Sequence, residues 1–157
     1  YFYSGKSSLR LLAEKLHRIK AGDVMSVPVV VTEHSTVYDA VVTMFIEDVG
    51  TLFVLKEAGL LEGVVSRKDL LKITLVGKDV HNLPVGVVMT RMPNVVMADI
   101  NESVWSAARK IIAHEIDAVP VVKTVSTDGV KEGFEVLGRL SKTSITRIFV
   151  ELGEANT

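Results

Sequence analysis

Two stretches of the chain carry the same helical pattern of apolar positions. In each stretch the apolar residues stand three or four positions apart, and the second stretch begins at Val104, 67 residues after Val37. This spacing places apolar side chains on one face of an α-helix. The members are Val37, Ala40, Val41, Met44 and Phe45 in the first stretch and Val104, Ala107, Ala108, Ile111 and Ile112 in the second. The pattern predicts amphipathic helices over Val37–Asp48 and Ser103–Glu115.

The segments around these two helices repeat as well, and in the same order. An opening block, a central block and a closing block each occur twice with small changes of spacing. The paired blocks are Gly22–Ser26 with Gly86–Thr90, Val49–Leu55 with Ile116–Val122, and Gly63–Leu70 with Gly138–Ile145. Self-similarity at a fixed period is the signature of a repeated structural unit. The chain is therefore predicted to be a tandem duplication.

Each copy is predicted to run strand, helix, strand, strand, helix, which gives an α/β (α+β) fold. Copy one begins with a predicted strand, Pro28–Val31, and a helix that Ser35 or Thr36 caps and Gly50 ends. Two predicted strands follow, Thr51–Lys56 and Leu60–Val65, joined by a turn at Glu57–Gly59. The last predicted element is a helix from Ser66 to Val76, stopped by Gly77. In copy two the predicted strands are Asn94–Met97, Ala118–Thr124 and Gly133–Leu140, and the predicted helices are Ser103–Glu115 and Lys142–Leu152. A polar loop, Val125–Glu132, joins the last two strands. One copy alone offers little core, so we expect two β-α-β-β-α units packed about a pseudo-twofold axis with two related clefts.

Composition narrows the function classes. The 18 basic and 19 acidic residues give a net charge of −1, which disfavours a wide nucleic-acid-binding face. Mean hydropathy is high at +0.34, but no apolar run reaches the roughly 18–20 residues of a membrane helix. The absence of cysteine excludes disulfides and thiolate chemistry and favours a cytoplasmic location. Because the chain begins with tyrosine, we expect it to be part of a longer protein.

The closing block of the first copy has the chemistry of an anion site. A strand that ends at Ser66 and a helix that begins at Arg67 place amide N–H groups and a partial positive charge at the helix start. Arg67 and Lys68 add cations that can reach a phosphate, and the carboxylate of Asp69 can accept hydrogen bonds from a ribose diol. The alternative is purely structural, because Ser-x-x-Asp is also a common helix cap. The four residues alone leave both interpretations open.

Together the repeated blocks resemble the cystathionine-β-synthase (CBS) domain family. The likeness rests on Asp23–Ser26 and Val88–Thr90, on the central block Ile116–Val122, and on the closing Gly-h-h-Ser-x-x-Asp of Gly63–Asp69, where h is apolar. It extends from about Lys20 to Phe149. The family implies paired domains that bind adenine-containing ligands in clefts between the copies, and it implies a homodimer formed through helical faces.

The resemblance assigns two ligand sites by position. The first combines the closing residues of copy one with the central strand of copy two: Ser66, Arg67, Lys68 and Asp69 with Asp117, Ala118, Val119 and Pro120. The second combines Ser141 and Lys142 with Gly50, Thr51 and Leu52. In the second site the ribose acid is replaced by Ser144, and the central proline by Phe53. We therefore expect the second site to bind a nucleotide (AMP, ADP or ATP) more weakly.

The segment before the repeats carries a further likeness. Leu9, Leu12, Leu16 and Ile19 fall on one helical face of Ser7–Lys20. The apolar face alone leaves two interpretations open: a helix that docks on the repeats and exposes a basic side, or a connector to a further domain. The run from Leu11 to Leu16 and from Ile19 to Met25, together with the C-terminal end, resembles the sensor half of a family of bacterial transcriptional repressors of gluconeogenic genes, in which a helix-turn-helix domain precedes the CBS pair. The resemblance implies a linker helix over 1–20, CBS domain 1 over 21–78 and CBS domain 2 over 79–157, with DNA bound only by a domain outside this chain.

Other functions remain as alternatives. The same module could regulate a metabolic enzyme or a transporter, bind S-adenosylmethionine, or serve as a dimerisation scaffold. An enzyme is disfavoured, because the sequence contains no activated nucleophile, phosphate-binding loop or dinucleotide-binding fingerprint. A metal site is not expected, because the histidines lack ligand spacing: His17, His34, His81 and His114.

Overall fold

Both copies follow the predicted order of elements in the computed structural model, which describes residues 2–127 and 131–155. Side chains are described for residues 10–126 and 132–154. The helices are α1 (Phe2–Arg18), α2 (Ala21–Val24), α3 (Val37–Glu47), α4 (Arg67–Leu75), α5 (Val85–Val88), α6 (Val104–Ala113) and α7 (Lys142–Ala155). The strands are β1 (Val30–Val31), β2 (Thr51–Lys56), β3 (Leu60–Ser66), β4 (Thr90–Arg91), β5 (Ala98–Asp99), β6 (Ala118–Thr127) and β7 (Lys131–Ser141), with a 3₁₀ turn at Glu57–Gly59.

Hydroxyl side chains begin the helices as predicted, but one predicted helix end is wrong. Thr36 Oγ1 accepts a hydrogen bond from the amide of Asp39 at the start of α3, over 3.1 Å. At the other end the chain leaves α3 through Asp48, which has φ 51°, and not through Gly50. Aspartate is one of the few residues other than glycine that adopt this left-handed conformation at low cost. Glu115, the counterpart of Asp48, has φ 53° in copy two.

The last hairpin is longer than the sequence indicated. β6 continues through Thr127 and β7 begins at Lys131, so the predicted loop Val125–Glu132 is wrong at both ends, while residues 128–130 lie outside the described part. β-Branched residues such as Thr124 and Val125 fit a pleated strand, and cross-strand pairing outweighs the polar character of the segment. The first strand of copy two also lies later than predicted, at Ala98–Asp99.

The chain divides into two compact units that exchange their opening segments. The first, called the α1 unit, contains Tyr1–Ser26, Val96–Val121 and Gly138–Thr157. The second, called the β1 unit, contains Val27–Val95 and Val122–Leu137. The opening block of each copy thus belongs to the unit built around the other copy. The compact units therefore do not coincide with the sequence repeats 21–78 and 79–157.

In the β1 unit, helices pack on one face of a small sheet. β2 lies between β1, to which it is parallel, and β3, to which it is antiparallel, and β4 also pairs with β3. Alternate residues of β2 and β3 point toward the helices, as the period of two requires. The buried core consists of Val37, Ala40, Met44, Val49, Leu52, Val54, Val65, Leu70, Val85 and Met89.

In the α1 unit, the N-terminal helix is part of the core. Leu16 is 1% exposed and belongs to the same cluster as Ile111 of α6 and Ile145 of α7. Ile19 packs against that cluster, so two members of the predicted apolar face are in place, whereas the side chain of Leu9 lies outside the described part. Among the described helices, α1 included, none is both long and apolar enough to cross a membrane.

A close approach explains why each closing block starts with glycine. A Cβ added to Gly63 would lie 2.5 Å from the carbonyl oxygen of Thr90 and 2.9 Å from Sδ of Met89. A Cβ added to Gly138 would lie 2.5 Å from Sδ of Met25. In both units the methionine of an opening block therefore crosses directly over the glycine of a closing block. The methionine of each repeated Val-Met pattern therefore packs against the glycine of a repeated Gly-h-h-Ser pattern.

Candidate functional site

Ser66 and Asp69 form a reciprocal cap at the start of α4, in the β1 unit. The hydroxyl of Ser66 donates to Oδ2 of Asp69 over 2.8 Å, and the amide of Ser66 donates to the same oxygen over 3.0 Å. The amide of Asp69 donates in return to Oγ of Ser66 over 3.2 Å. This arrangement is a capping box, which satisfies donors that the first turn of a helix leaves free. The interpretation of Ser-x-x-Asp as a helix cap is therefore correct.

The cap occupies only one side of the Asp69 carboxylate. All the described hydrogen bonds of this side chain go to Oδ2, and none among the described residues goes to Oδ1. Asp69 is half-buried and borders a cavity of about 360 Å³, together with Val87 and Val88 of α5. A carboxylate has room for about four hydrogen bonds. Asp69 can therefore cap its helix and still accept hydrogen bonds from a ligand in this cavity.

The cations that follow Ser66 are exposed, and one is anchored. The amide of Arg67 donates to the carbonyl of Gly50 over 2.9 Å, and its guanidinium donates to the carbonyl of Val49 over 3.2 Å. Thr51 pairs with Ser66 in the sheet. The start of the central strand in copy one therefore lies beside the closing residues of the same copy. Lys68 is exposed and extends from the first turn of α4.

In the α1 unit, hydroxyl groups replace the acid. Ser141 and Ser144 are 6% and 7% exposed, and their Oγ atoms lie 3.0 Å apart. The amide of Ser144 donates to Oγ of Ser141 over 3.1 Å, and the hydroxyl of Ser26 lies 3.5 Å from that of Ser144. These hydroxyls satisfy one another and carry no charge. The half-site of copy two therefore lacks the strong acceptor that Asp69 provides in copy one.

The cation of copy two is paired with an acid. The amide of Lys142 donates to the carbonyl of Asp117 over 3.0 Å, and Nζ of Lys142 lies 3.7 Å from Oδ1 of Asp117. Ala118, Val119 and Pro120, which follow in β6, are buried. The structure thus places Asp117 beside Lys142 within one unit, whereas the sequence assigned them to different sites. The assignment of Asp117 to the first ligand site and of Lys142 to the second stays a prediction.

Sequence analysis missed the six other residues that border the cavity of Asp69. They are Lys72, Ile73, Lys78, Leu83, Val87 and Val88. Lys72 could have been found, because it lies three positions after Asp69 and so on the same face of α4. The two valines lie in the opening block of copy two, and its place in the β1 unit was not predictable from the repeat alone.

Arg139 was also missed as a candidate. Its Nε is buried and has no hydrogen-bond partner within the described part of the chain, and burial lowers the pKa of its guanidinium. The backbone of Arg139 pairs with that of Ser26, so the residue lies next to the hydroxyl cluster of the α1 unit. An arginine retains its charge even with a lowered pKa. No pattern in the sequence indicated this cation of the α1 unit.

The chain belongs to the CBS domain family, whose domain matches residues 21–76 and 78–151. The prediction of a CBS pair is thus confirmed. The transcriptional repressor CcpN of Bacillus subtilis (strain 168) is 47% identical over 154 residues, which cover 98% of this chain and 70% of that protein.

Solved structures support the same fold. The CBS domain pair of protein MJ0100, in complex with 5′-methylthioadenosine and S-adenosyl-L-methionine, superimposes with a TM-score of 0.68 at 25% identity, over 84% of this chain and 96% of that one. CBSX2 in complex with AMP gives a TM-score of 0.69 at 26% identity, over 86% and 98% of the two chains. Both relatives bind ligands built on adenosine.

Proposed function

We propose that this chain is the adenine-nucleotide-sensing module of a bacterial transcriptional repressor of gluconeogenic genes. Its likeness to CcpN over 98% of its length supports the proposal that it belongs to a repressor. Nucleotide binding is supported by the position of Asp69, which borders a cavity of about 360 Å³ and whose Oδ1 accepts no hydrogen bond from a described residue. An ionised carboxylate is a strong acceptor for the two hydroxyls of a ribose.

The ligand is proposed to contact the residues that the family resemblance assigns. In the first site Ser66, Arg67 and Lys68 would hold phosphate at the start of α4, while Asp69 would hold the ribose. The rest of the ligand would contact Asp117, Ala118, Val119 and Pro120. A second, weaker site is proposed at Gly50, Thr51, Leu52, Ser141 and Lys142. It is weaker because Ser144 offers a neutral hydroxyl that Ser26 and Ser141 already engage.

Regulation requires that the ligand binds two states of the protein with different affinity. The proposed route to the DNA-binding domain is α1, which packs through Leu16 on the core of the α1 unit. We place the helix-turn-helix domain before α1, outside this chain, and the protein in the cytoplasm, where its DNA target lies. In this proposal the chain binds a nucleotide without converting it, and it needs no catalytic cofactor or metal.

Replacing Asp69 by asparagine is expected to weaken nucleotide binding about tenfold. The change removes the charge but keeps an oxygen that can cap α4, and the loss corresponds to the difference of about 1–2 kcal/mol between charged and neutral hydrogen bonds. Isothermal titration of the wild type and D69N with AMP, ADP and ATP measures it. Asp39→Asn is the matched control, because Asp39 holds the same position behind Thr36 in α3.

The outcomes separate the candidate functions. Equal affinity of the wild type and D69N would show that Asp69 does not hold the ribose. Binding of S-adenosylmethionine in preference to every nucleotide would support the alternative that MJ0100 represents. If none of the adenosine ligands bound, the sensing function itself would be wrong, and a dimerisation scaffold would remain.

We also propose that two copies associate through their helical faces. Large apolar side chains are exposed on α3 and α4 in the β1 unit, among them Phe45 at 86% and Leu75 at 85%. Ile112 of α6 and Val150 of α7 are similarly exposed in the α1 unit, at 74% and 54%. Association through these helices would remove such apolar side chains from water, which favours an interface between proteins.

Phe45→Glu is expected to convert a dimer into monomers, because it buries an unpaired charge in the proposed interface. Light scattering coupled to gel filtration measures the mass of each variant. Val27→Glu serves as the control, since Val27 is 84% exposed but lies outside the helices. A dimer that persists in F45E, or a wild type that is already monomeric, would contradict this interface.

A further inference from the structure

The helical face of the α1 unit contains an apolar groove of about 390 Å³, which we call the α6–α7 groove. The buried side chains of Leu16 and Ile111 line it, together with those of Trp105, Ile112 and Phe149. Ile112 is 74% exposed and Phe149 is 40% exposed, so apolar side chains of the lining face solvent. The groove can therefore receive a large apolar side chain from outside the unit.

The helical face of the β1 unit has the opposite shape. Tyr38, Val41 and Phe45 are exposed and stand three or four positions apart, so they form one stripe along α3. Phe45 is 86% exposed, and Ile46 beside it is 70% exposed. Where α3 has Val41, α6 has the smaller Ala108, which lines the groove. Corresponding helices of the two copies thus present a projecting apolar surface on α3 and a receding one on α6.

Charge distinguishes the same two helices. The charged residues of α3 are the acids Asp39 and Glu47, whereas those of α6 are the bases Arg109 and Lys110. Lys110 is engaged by an acid of its own unit over 2.7 Å. Glu47 and Arg109 are exposed, and neither forms an ion pair with another described residue. Opposite charges favour contact between α3 and α6, whereas like charges would meet if either helix packed on its own copy.

A second copy of this chain supplies an occupant that fits the groove. Phe45 is 86% exposed within its own chain and is therefore available to a partner. It lies two positions before Glu47, and the groove that would receive it is bordered by Arg109. An aromatic side chain in an apolar pocket, with complementary charges at the edge, is typical of the residues that dominate binding energy at interfaces.

We propose that two copies associate head to tail, so that the β1 unit of one copy faces the α1 unit of the other. Phe45 of one copy enters the α6–α7 groove of its partner, and Glu47 lies near Arg109 of the partner subunit. In a symmetric dimer this contact occurs twice, because each copy carries both surfaces. The inference rests on the proposed association through helical faces and adds the orientation of the two copies.

Cysteine cross-linking tests this orientation, because the chain contains no cysteine. The variants are Ile46→Cys on α3, Ile112→Cys beside the groove, and the two changes combined in one chain. Each is shown to be dimeric by light scattering, treated with a short bismaleimide and separated by mass under denaturing conditions. Both positions are exposed and Phe45 is kept, so the proposed contact remains. Lys123→Cys is the control for random collision, because Lys123 is exposed on β6, outside the helices.

We expect a linked product of dimer mass from the combined variant alone, with the peptides that contain positions 46 and 112 joined. A linked dimer from either single variant would show that like units meet, so the orientation would be wrong while association through helical faces would stand. A dimeric wild type with no linked product from any of these variants would also overturn the orientation. If the wild type is a monomer, association and orientation both fail.

Charge reversal provides a second measurement that needs no cross-linker. Glu47→Arg and Arg109→Glu are each expected to raise the dissociation constant of the dimer about two- to fivefold, as for the loss of an exposed ion pair. The variant with both changes restores opposite charges across the contact, so its constant should return to within about twofold of the wild type. Sedimentation equilibrium measures these constants. Single changes without effect, or a combined variant that is not restored, would contradict the pairing of α3 with α6.

Discussion

Leu16→Ala should lower the free energy of unfolding by about 2–3 kcal/mol. Leu16 is 1% exposed and joins α1 to Ile111 and Ile145 in the core of the α1 unit. Truncating a buried leucine costs about 2–5 kcal/mol, and the cost is smaller where the surroundings can adjust. The lower part of that range applies here, because Leu16 already borders an apolar groove of about 390 Å³. Chemical denaturation followed by circular dichroism measures the change.

Leu11→Ala provides the control for this result. Leu11 lies on the same helix but is 50% exposed, so its truncation should change stability by no more than about 0.5 kcal/mol. If the two variants lost equal stability, α1 would not be docked through Leu16. The proposed route from the CBS pair to a DNA-binding domain would then lose its structural support.

Gly63→Ala should cost about 1–3 kcal/mol, the range of overpacking substitutions in a folded core. The added methyl group would lie 2.5 Å from the carbonyl oxygen of Thr90, which belongs to the backbone of β4 and cannot rotate away. The strand pair between Gly63 and Arg91 would have to separate to accept it. Thermal and chemical denaturation of the variant measure the loss.

Gly153→Ala is the matched control for the change at Gly63. Apart from its chain neighbours and the backbone of α7 itself, no described residue has an atom within 4 Å of a Cβ built on Gly153, which is inside α7. Alanine is the better helix former by up to about 1 kcal/mol, so this variant should be as stable as the wild type or slightly more stable. A Gly63 variant of unchanged stability would show that β4 does not hold the opening block against β3.

Local patterns in the sequence predicted most of the fold. The helical period placed α3 and α6, and the predicted hydroxyl caps Thr36 and Ser66 accept the expected amide hydrogen bonds. These features depend on residues three or four positions apart, so a single sequence contains them. The end of α3 was wrong because Asp48, which tolerates a positive φ, is reached before Gly50.

Contacts between distant parts of the chain were harder to predict. Repetition of the opening block was visible, but which closing block it packs against depends on tertiary structure. Val87 and Val88 were missed as neighbours of Asp69 for this reason. The sequence offered helix cap or ligand contact as alternatives for Asp69, whereas its two carboxylate oxygens leave room for both roles.

The exchange of opening segments limits how this fold can have arisen. Met25 of the first repeat covers Gly138, and Met89 of the second covers Gly63, so neither repeat completes its own core. An ancestral chain with a single repeat would have had to borrow the missing segment from another molecule, as in a domain-swapped dimer. Gene fusion would then have converted an association that depended on protein concentration into an intramolecular one.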